Sequence, residues 1–346
     1  TTQPASVYKD HSMRFFISVV IPVRNEAAHI EYVLDRLLEQ KYPPERFEIL
    51  VIDGRSDDDT RRRVDRYVES RKDRAPHVYL YDNPKRVSAA ARNIGIDRMN
   101  GDVYLLVDGH CLIENDRMLE AVDAAFHVEG VDCVGRPQPL EMKNANFVQH
   151  AIAAARRSPL GHHPDSFIYS NETRIVPAAS VAVAYRKEVF EKVGRFDECF
   201  DAAEDYEFNH RCDRAGLRCL FAPETAVHYV PRRSLTGLFR QLVRYGRGRV
   251  RLLKKHPDTF SFKSLLPAFF VSCLVIVPFA EFLYPELFCV LSTVLGVYLV
   301  LVAFESARIA IMQKNPLLYS FLPLVFLVIH IASGIGSLLE MPRWKI

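Results

Sequence analysis

No two of the seven cysteines form a CxxC pair, and Cys111, Cys133, Cys199, Cys212, Cys219, Cys273 and Cys289 follow no regular framework. An odd, scattered set of thiols in a chain of 346 residues fits a reducing compartment and offers neither zinc spacing nor a disulfide scaffold. A glycine-rich phosphate cradle is missing too. Neither GxGxxG nor GxxxxGK(S/T) follows the first strand-like run, which excludes the dinucleotide-binding turn and the P-loop. No internal repeat or low-complexity tract is present. Phe15–Val23 is too short for a signal peptide and leads straight into a charged helix, so the start of the chain is expected to stay cytoplasmic.

What is present is unevenly spread. The averages are ordinary, with 49% hydrophobic residues, 25% charged and a net charge of +3. Yet residues 1–260 are studded with charge, whereas 264–340 are almost uniformly apolar. Leu265–Tyr284, Glu286–Phe304 and Leu317–Leu339 each approach the roughly 20 residues that span a bilayer. Pro267, Pro278 and Pro323 would kink them, which membrane helices tolerate. Arg308 and Lys314 lie between the second and third stretches and only Glu286 between the first two, which puts the former loop and the charge-rich part on the cytoplasmic side. Arg343 and Lys345 would then lie outside, in mild conflict with that rule, unless the third segment is re-entrant.

The first hundred residues alternate strand and helix patterns. Phe15–Ile21, ended by Pro22, is a buried-strand run, and Glu26–Glu39 carries apolar residues at helical spacing. Phe47–Ile52, a charged helix from about Asp58, His77–Tyr81, Ser88–Arg98 and Val103–Val107 continue the rhythm. A mostly parallel α/β sheet with helices on both faces is expected, with ligands beyond the carboxyl ends of the strands. Farther on, Asn146–Arg157 reads as a helix, Ser158–Asn171 as a loop bearing His, Pro and Gly, Ala178–Tyr185 as a strand, Glu204–Ala215 as a helix and Val227–Val230 as extended. Arg232–Lys255 holds nine basic residues and no acid, interleaved with leucines, valines and Phe239. That is the pattern of a helix lying on an anionic membrane surface, and with apolar segments next to it nucleic acid is not the expected partner. The expected division is 1–230 catalytic, 231–260 a basic interfacial helix region and 261–346 about three transmembrane helices.

The strand exits carry acids. Asp108-Gly109-His110 puts a carboxylate and an imidazole on one turn, where both can reach a divalent cation, although a D-G-H turn is also a plain hairpin or N-cap signal. Glu204-Asp205 could take a proton from an acceptor hydroxyl or simply cap a helix. His228, in AVHYV, is either a core histidine or a ligand.

Taken together, these segments resemble family 2 glycosyltransferases with the GT-A fold, over about residues 15–250. VVIPVRNEA resembles the first strand and nucleotide-binding turn of that family, and ILVIDGRSDDDT its second-strand motif through Asp53, Ser56, Asp58 and Thr60. SAAARNIGI resembles the ARNxG helix through Arg92, Asn93 and Gly95. VDGH stands where the family has D-x-D, AAEDYEF where it has E-D, and QLVRY resembles QxxRW. The D-G-H variant, EDYEFN and the RYGRGR run before the apolar segments resemble, more narrowly, glucosyltransferases of bacterial exopolysaccharide assembly.

The resemblance implies roles. Pro22, Asn25 and Glu26 would line the base and ribose pocket, with Asp53 on the base and Lys85 or Arg86 beside base or diphosphate. Asp108 and His110 would hold Mn2+ or Mg2+, with His228 as a third ligand, and an imidazole in place of the second acid tilts the choice toward Mn2+. Asp205, next to Glu204, would be the catalytic base, and Gln241, Arg244 and Tyr245 would lie over the diphosphate and acceptor mouth. Tyr245 replaces the family tryptophan. The implied activity is inverting, non-processive transfer of glucose from UDP-glucose to a polyprenyl-diphosphate-linked glycan, by a multi-pass enzyme of the bacterial plasma membrane. Such an enzyme acts as a homo-oligomer or alongside other exopolysaccharide enzymes. A polyprenyl-phosphate sugar synthase and a processive polysaccharide synthase are the alternatives.

Overall fold

The computed structural model describes residues 14–140, 143, 145–162 and 167–343; Lys345 and residues 163–166 of the expected 158–171 loop lie outside them. The chain forms two compact units: Thr1–Pro139 with Phe167–Glu198 and Glu204–Tyr229, and Leu140–Ser166 with Cys199–Ala203 and Val230–Ile346. Two short segments of the expected 1–230 stretch therefore group with the C-terminal part.

In the first unit the chain runs β1 (Ile17–Val23), α1 (Ile30–Leu38), β2 (Phe47–Asp53), α2 (Thr60–Arg71), β3 (His77–Asp82), α3 (Ser88–Arg98), β4 (Val103–Leu106), α4 (Met118–Phe126) and β5 (Cys133–Gly135). After α5 (Phe147–Arg156), which belongs to the second unit, come β6 (Arg174–Val176), α6 (Ala178–Val181), β7 (Ala182–Arg186), α7 (Lys187–Val193), α8 (Glu204–Arg214) and β8 (Cys219–Phe221). The eight strands form one sheet in the order β3-β2-β1-β4-β7-β5-β8-β6. β3, β2, β1 and β4 are mutually parallel, β7 runs antiparallel to β4 and β5, and β6 is antiparallel to β8.

Alternation along the strands supplies both faces. Val19, Ile21, Ile49 and Val51 pack with α1 and α4 residues such as Leu34 and Val122, while Val20, Leu50 and Ile52 pack with α3, α7 and α8 residues such as Ala89, Phe190 and Phe208. The strand order reverses between β1 and β4, so their carboxyl ends border the crevice where ligands of open parallel sheets bind.

Two local expectations need correction. β1 does not end at Pro22 but runs to Val23. The O atom of Val20 accepts from Val107 N, so alternate β1 residues face β4; the absent N–H of Pro22 thus falls where β4 has already ended and costs no ladder bond. Ala178–Val181 is a helical turn rather than the start of a strand. The N–H groups of Ala178 and Ala179 donate to the Asp213 carboxylate at 2.6 and 3.0 Å, a long-range cap that local propensity does not reveal.

The second unit contains α5, α9 (Leu235–Lys255), α10 (Phe262–Leu283), α11 (Pro285–Met312) and α12 (Leu317–Glu340). The last three are long and apolar enough to cross a membrane. α5 begins with a reciprocal capping box between Asn146 and Gln149. The Ser234 side chain caps α9 by accepting from Gly237 N at 3.1 Å. Several α9 cations are engaged inside this unit. Arg244 donates to Asp201 O, Arg251 to Asp201 and Glu340, and Lys254 to Glu340 O. The basic face is thus partly an internal ion-pair surface.

Candidate active site

The turn after β2 is held to the turn after β1 by short polar side chains. Asn25 adopts φ +57°, a left-handed conformation that asparagine tolerates. Its N–H donates to Ser56 Oγ at 2.9 Å, and its Oδ1 accepts from Asp57 N at 2.8 Å. Glu26 N donates to Thr60 Oγ1 at 2.8 Å. Asp53 is 1% exposed and accepts from the Ser56 hydroxyl at 2.6 Å and the Ser56 N–H at 3.1 Å, with Arg61 3.5 Å away. The Asp53, Ser56, Asp58 and Thr60 set is therefore the framework that shapes both turns.

This framework delivers Glu26 to the exit of β4. Glu26 Oε1 lies 3.0 Å from His110 Nδ1, and its other oxygen lies 3.3 Å from His29. A carboxylate accepting from Nδ1–H fixes the imidazole tautomer whose Nε2 carries the lone pair, as beside metal-ligating histidines. Gly109 sits between them because a Cβ there would lie 2.8 Å from Val23 Cγ1. Asp108 Oδ2 accepts from the Tyr229 hydroxyl, and the Tyr229 ring meets His110 edge-on at 6.0 Å. Burial alone would raise the Asp108 carboxyl, but His110, the Tyr229 hydrogen bond, Arg92 and Arg136 outweigh it and hold it below the ordinary carboxylate value.

α3 and α8 bring the opposite wall. Arg92 and Glu204, 6% and 7% exposed, pair at 3.1 Å. Burial would weaken the protonation of Arg92, but Glu204, Asp205 and Asp108 more than offset it and raise its pKa. One guanidinium thus lies within reach of the acids from two distant motifs. Asn93 ties down the neighbouring loop, donating to Phe196 O at 2.9 Å and Glu198 Oε1 at 3.0 Å and accepting from Phe196 N. Gly95 lets α3 touch β1, since a Cβ would fall 2.5 Å from Val20 Cγ1. Asp205 is exposed, and its Oδ1 accepts from Tyr206 N at 2.8 Å.

Five buried donors around Asp108 have no hydrogen-bond partner among the described residues: Nε and Nη1 of Arg92, Nε and Nη1 of Arg136, and the Tyr104 hydroxyl. Arg92, Arg136 and Tyr104 are all electrostatic neighbours of Asp108. Together with the carboxylate and imidazole on the Asp108 turn, this set fits a cation and an anionic ligand.

Other expected residues have partners of their own. Pro22 lies on β1 opposite Ile52. Lys85 pairs with Glu198, whose carboxyl is held low by Lys85 and Asn93, and Arg86 is exposed with φ +60°. His228 makes contacts other than the expected ones. It bridges Leu112 through the backbone, and its Nδ1 is 3.9 Å from Glu114, while the next residue, Tyr229, reaches Asp108. Gln241, Arg244 and Tyr245 lie on α9 in the second unit, where Gln241 donates to Tyr245 Oη at 3.0 Å. Sequence reasoning missed Tyr229, Tyr104 and Arg136. No local pattern in the sequence marks these three as neighbours of Asp108.

Residues 14–248 match the family described as "Glycosyltransferase like family 2". The succinoglycan biosynthesis protein ExoA of Rhizobium meliloti (strain 1021) is 32% identical over 253 residues, which cover 72% of this chain and 73% of that protein. A second relative, the dolichyl N-acetyl-alpha-D-glucosaminyl phosphate 3-beta-D-2,3-diacetamido-2,3-dideoxy-beta-D-glucuronosyltransferase of Methanococcus voltae, is 25% identical over 324 residues, covering 93% of this chain and 95% of its own. The mannosyltransferase PcManGT from Pyrobaculum calidifontis, solved in complex with GDP-Man and Mn2+, superposes with a TM-score of 0.58 at 20% identity, covering 94% of this chain and 88% of that one, and so shares the fold. With the reversed strand order and the acid-bearing exits of β1 and β4, these matches establish that the chain belongs to the family 2 glycosyltransferases and is a glycosyltransferase of the GT-A fold.

Proposed function

We propose that the enzyme transfers one glucose per cycle from UDP-glucose, with inversion, to a polyprenyl-diphosphate-linked glycan at the cytoplasmic face of a bacterial plasma membrane. The observation that carries this reading is the buried ion pair of Arg92 with Glu204, whose guanidinium also feels the charges of Asp205 and Asp108. Asp205 is oriented by the bond from Tyr206 N and takes the proton of the acceptor hydroxyl. The acceptor oxygen then bonds to the anomeric carbon while the bond from that carbon to the nucleoside diphosphate breaks on the opposite face. An oxocarbenium-like transition state is expected.

Asp108 and His110 are the residues that would hold a divalent cation, and their mixed oxygen and nitrogen set suits Mn2+. When bound, such an ion takes up charge on the departing diphosphate. Glu26 orients His110, and Tyr229 orients Asp108. The unpartnered donors of Arg92 and Arg136 are suited to phosphate oxygens, which guanidinium groups bind well. A lipid-linked acceptor is supported by the name of the Methanococcus voltae relative, which matches nearly the whole chain.

The test is a panel of nucleotide sugars with Mn2+ and a membrane lipid extract, with products read by mass. One hexose added to a lipid-linked glycan, lost with EDTA, is expected. A sugar placed on bare polyprenyl phosphate, or a ladder of sugars, would replace this reading with one of the two alternative activities.

A further inference from the structure

The helices α10 and α11 form a hairpin about Tyr284. The Phe270 and Tyr298 rings, each about 21 Å from that turn at about 1.5 Å per residue, lie 4.2 Å apart, so the two helices run side by side in register. Residues toward the turn, among them Val275, Phe279, Val290 and Val294, are exposed and apolar.

A third span following this hairpin would run beside α10 in the same direction. Because α11 runs six residues farther from the turn than α10, Gly334, about 25 Å along α12, would then lie a little closer to the turn than Phe270. It does not. A Cβ on Gly334 would fall 2.2 Å from the O atom of Pro267, only five residues into α10. Upstream, Leu318 and Leu322 share a core with Ile309 and Ala310 at the far end of α11, and His330 Nδ1 is 2.9 Å from Tyr298 Oη. α12, one continuous helix, thus stays in the half of the hairpin away from Tyr284, between the level of Phe270 and Tyr298 and the base.

Its C-terminal half lies against α9. A Cβ on Gly246 would fall 2.2 Å from Ser333 O, and one on Gly336 2.2 Å from Val243 O, so the two backbones touch. Glu340, 4% exposed, accepts from Arg251 Nε at 2.9 Å, and Lys254 donates to its backbone O at 2.7 Å. A helix as basic as α9 does not cross hydrocarbon, and the end of α12 is bound to it.

We infer that α12 is not a third span: it lies within one leaflet across the base of the hairpin, and its C-terminal end lies on the same side of the bilayer as α9. This rests on the reading that α10 and α11 are embedded in a membrane. The embedded surface is then a two-span hairpin plus an in-plane helix, and its lipid partner is the anionic leaflet on the α9 side. Arg308, Lys314 and Arg343 all fall on that side, which removes the charge conflict a third span creates.

The test uses the whole chain in bacterial cells, with the exposed thiols removed by Cys199→Ser and Cys289→Ser. Tyr284→Cys, Gln313→Cys or Met341→Cys is then added singly and treated with a membrane-impermeant maleimide before and after lysis. The expected result is labelling of Tyr284→Cys in intact cells, and of Gln313→Cys and Met341→Cys only after lysis. Labelling of Met341→Cys in intact cells together with Tyr284→Cys would overturn the inference. If Tyr284→Cys also needs lysis, the hairpin does not cross, and the embedding reading fails along with the inference. Where a cysteine variant does not accumulate, alkaline phosphatase fused after Arg343 reads the same side of the membrane: an inactive fusion supports the inference and an active one overturns it.

Discussion

Arg92→Met is the perturbation whose cost the structure sets most clearly. At 3.1 Å, and with an effective dielectric constant of about 20, the attraction between Arg92 and Glu204 is about 5 kcal/mol, opposed by the desolvation of both buried groups. Removing the arginine leaves Glu204 buried without its cation and facing Asp108 and Asp205. Breaking a buried pair in this way costs about 3–5 kcal/mol. Glu204→Gln is expected to cost less, about 1–2 kcal/mol, because Arg92 still faces the two aspartates and the amide can accept from its Nη2. At about 2–4 °C per kcal/mol for a unit of this size, Arg92→Met should lower the melting temperature by about 6–20 °C. The double variant Arg92→Met/Glu204→Leu should recover part of that loss. Far-UV circular dichroism melts of the purified chain in detergent read all three. An Arg92→Met melt within about 2 °C of wild type would refute the reasoning, as would a larger cost for Glu204→Gln than for Arg92→Met.

Glu26→Gln weakens the support of His110 and is expected to raise the Mn2+ concentration needed for half-maximal transfer by about 10–100-fold, with little change in the melting temperature. Tyr229→Phe removes a hydrogen bond to ionised Asp108 and should cost about 1–3 kcal/mol at neutral pH. The depressed Asp108 value contributes stability that is complete above about pH 3.9 and lost as pH falls through the folded value. Tyr229→Phe raises that folded value, so part of the contribution disappears and acid unfolding begins at higher pH, as a fluorescence or circular dichroism titration would show. Gly95→Ala pushes α3 off Val20 and is expected to destabilise by about 1–3 kcal/mol in a melt, with no effect if α3 can slide freely.

The parallel half of the sheet was legible because its strands are short apolar runs followed by acids and its helices carry apolar residues at helical spacing. Ser88–Arg98 was read with its observed limits, and β2 and β3 to within a residue. β5, β6 and β8 are only three residues each, too short to display a period, and they form strands because neighbouring strands supply their partners. Ala178–Val181 was misread because its cap comes from Asp213, which is distant in sequence. In the site, Asp108, His110, Glu26 and the Glu204-Asp205 pair were visible as acids and a histidine at strand and helix ends. Tyr229 and Arg136 were not, since a tyrosine in AVHYV and an arginine after CVG carry no local signature of reaching Asp108.

The account depends on Asp205 acting as the base that activates the acceptor beside the cation-holding pair Asp108 and His110. Transfer by Asp205→Asn, compared with wild type under the same Mn2+ and donor concentrations while donor affinity is measured in parallel, addresses this directly. Unchanged donor affinity with turnover reduced by about 10²–10⁴-fold is predicted. Turnover at the wild-type rate in Asp205→Asn would contradict it.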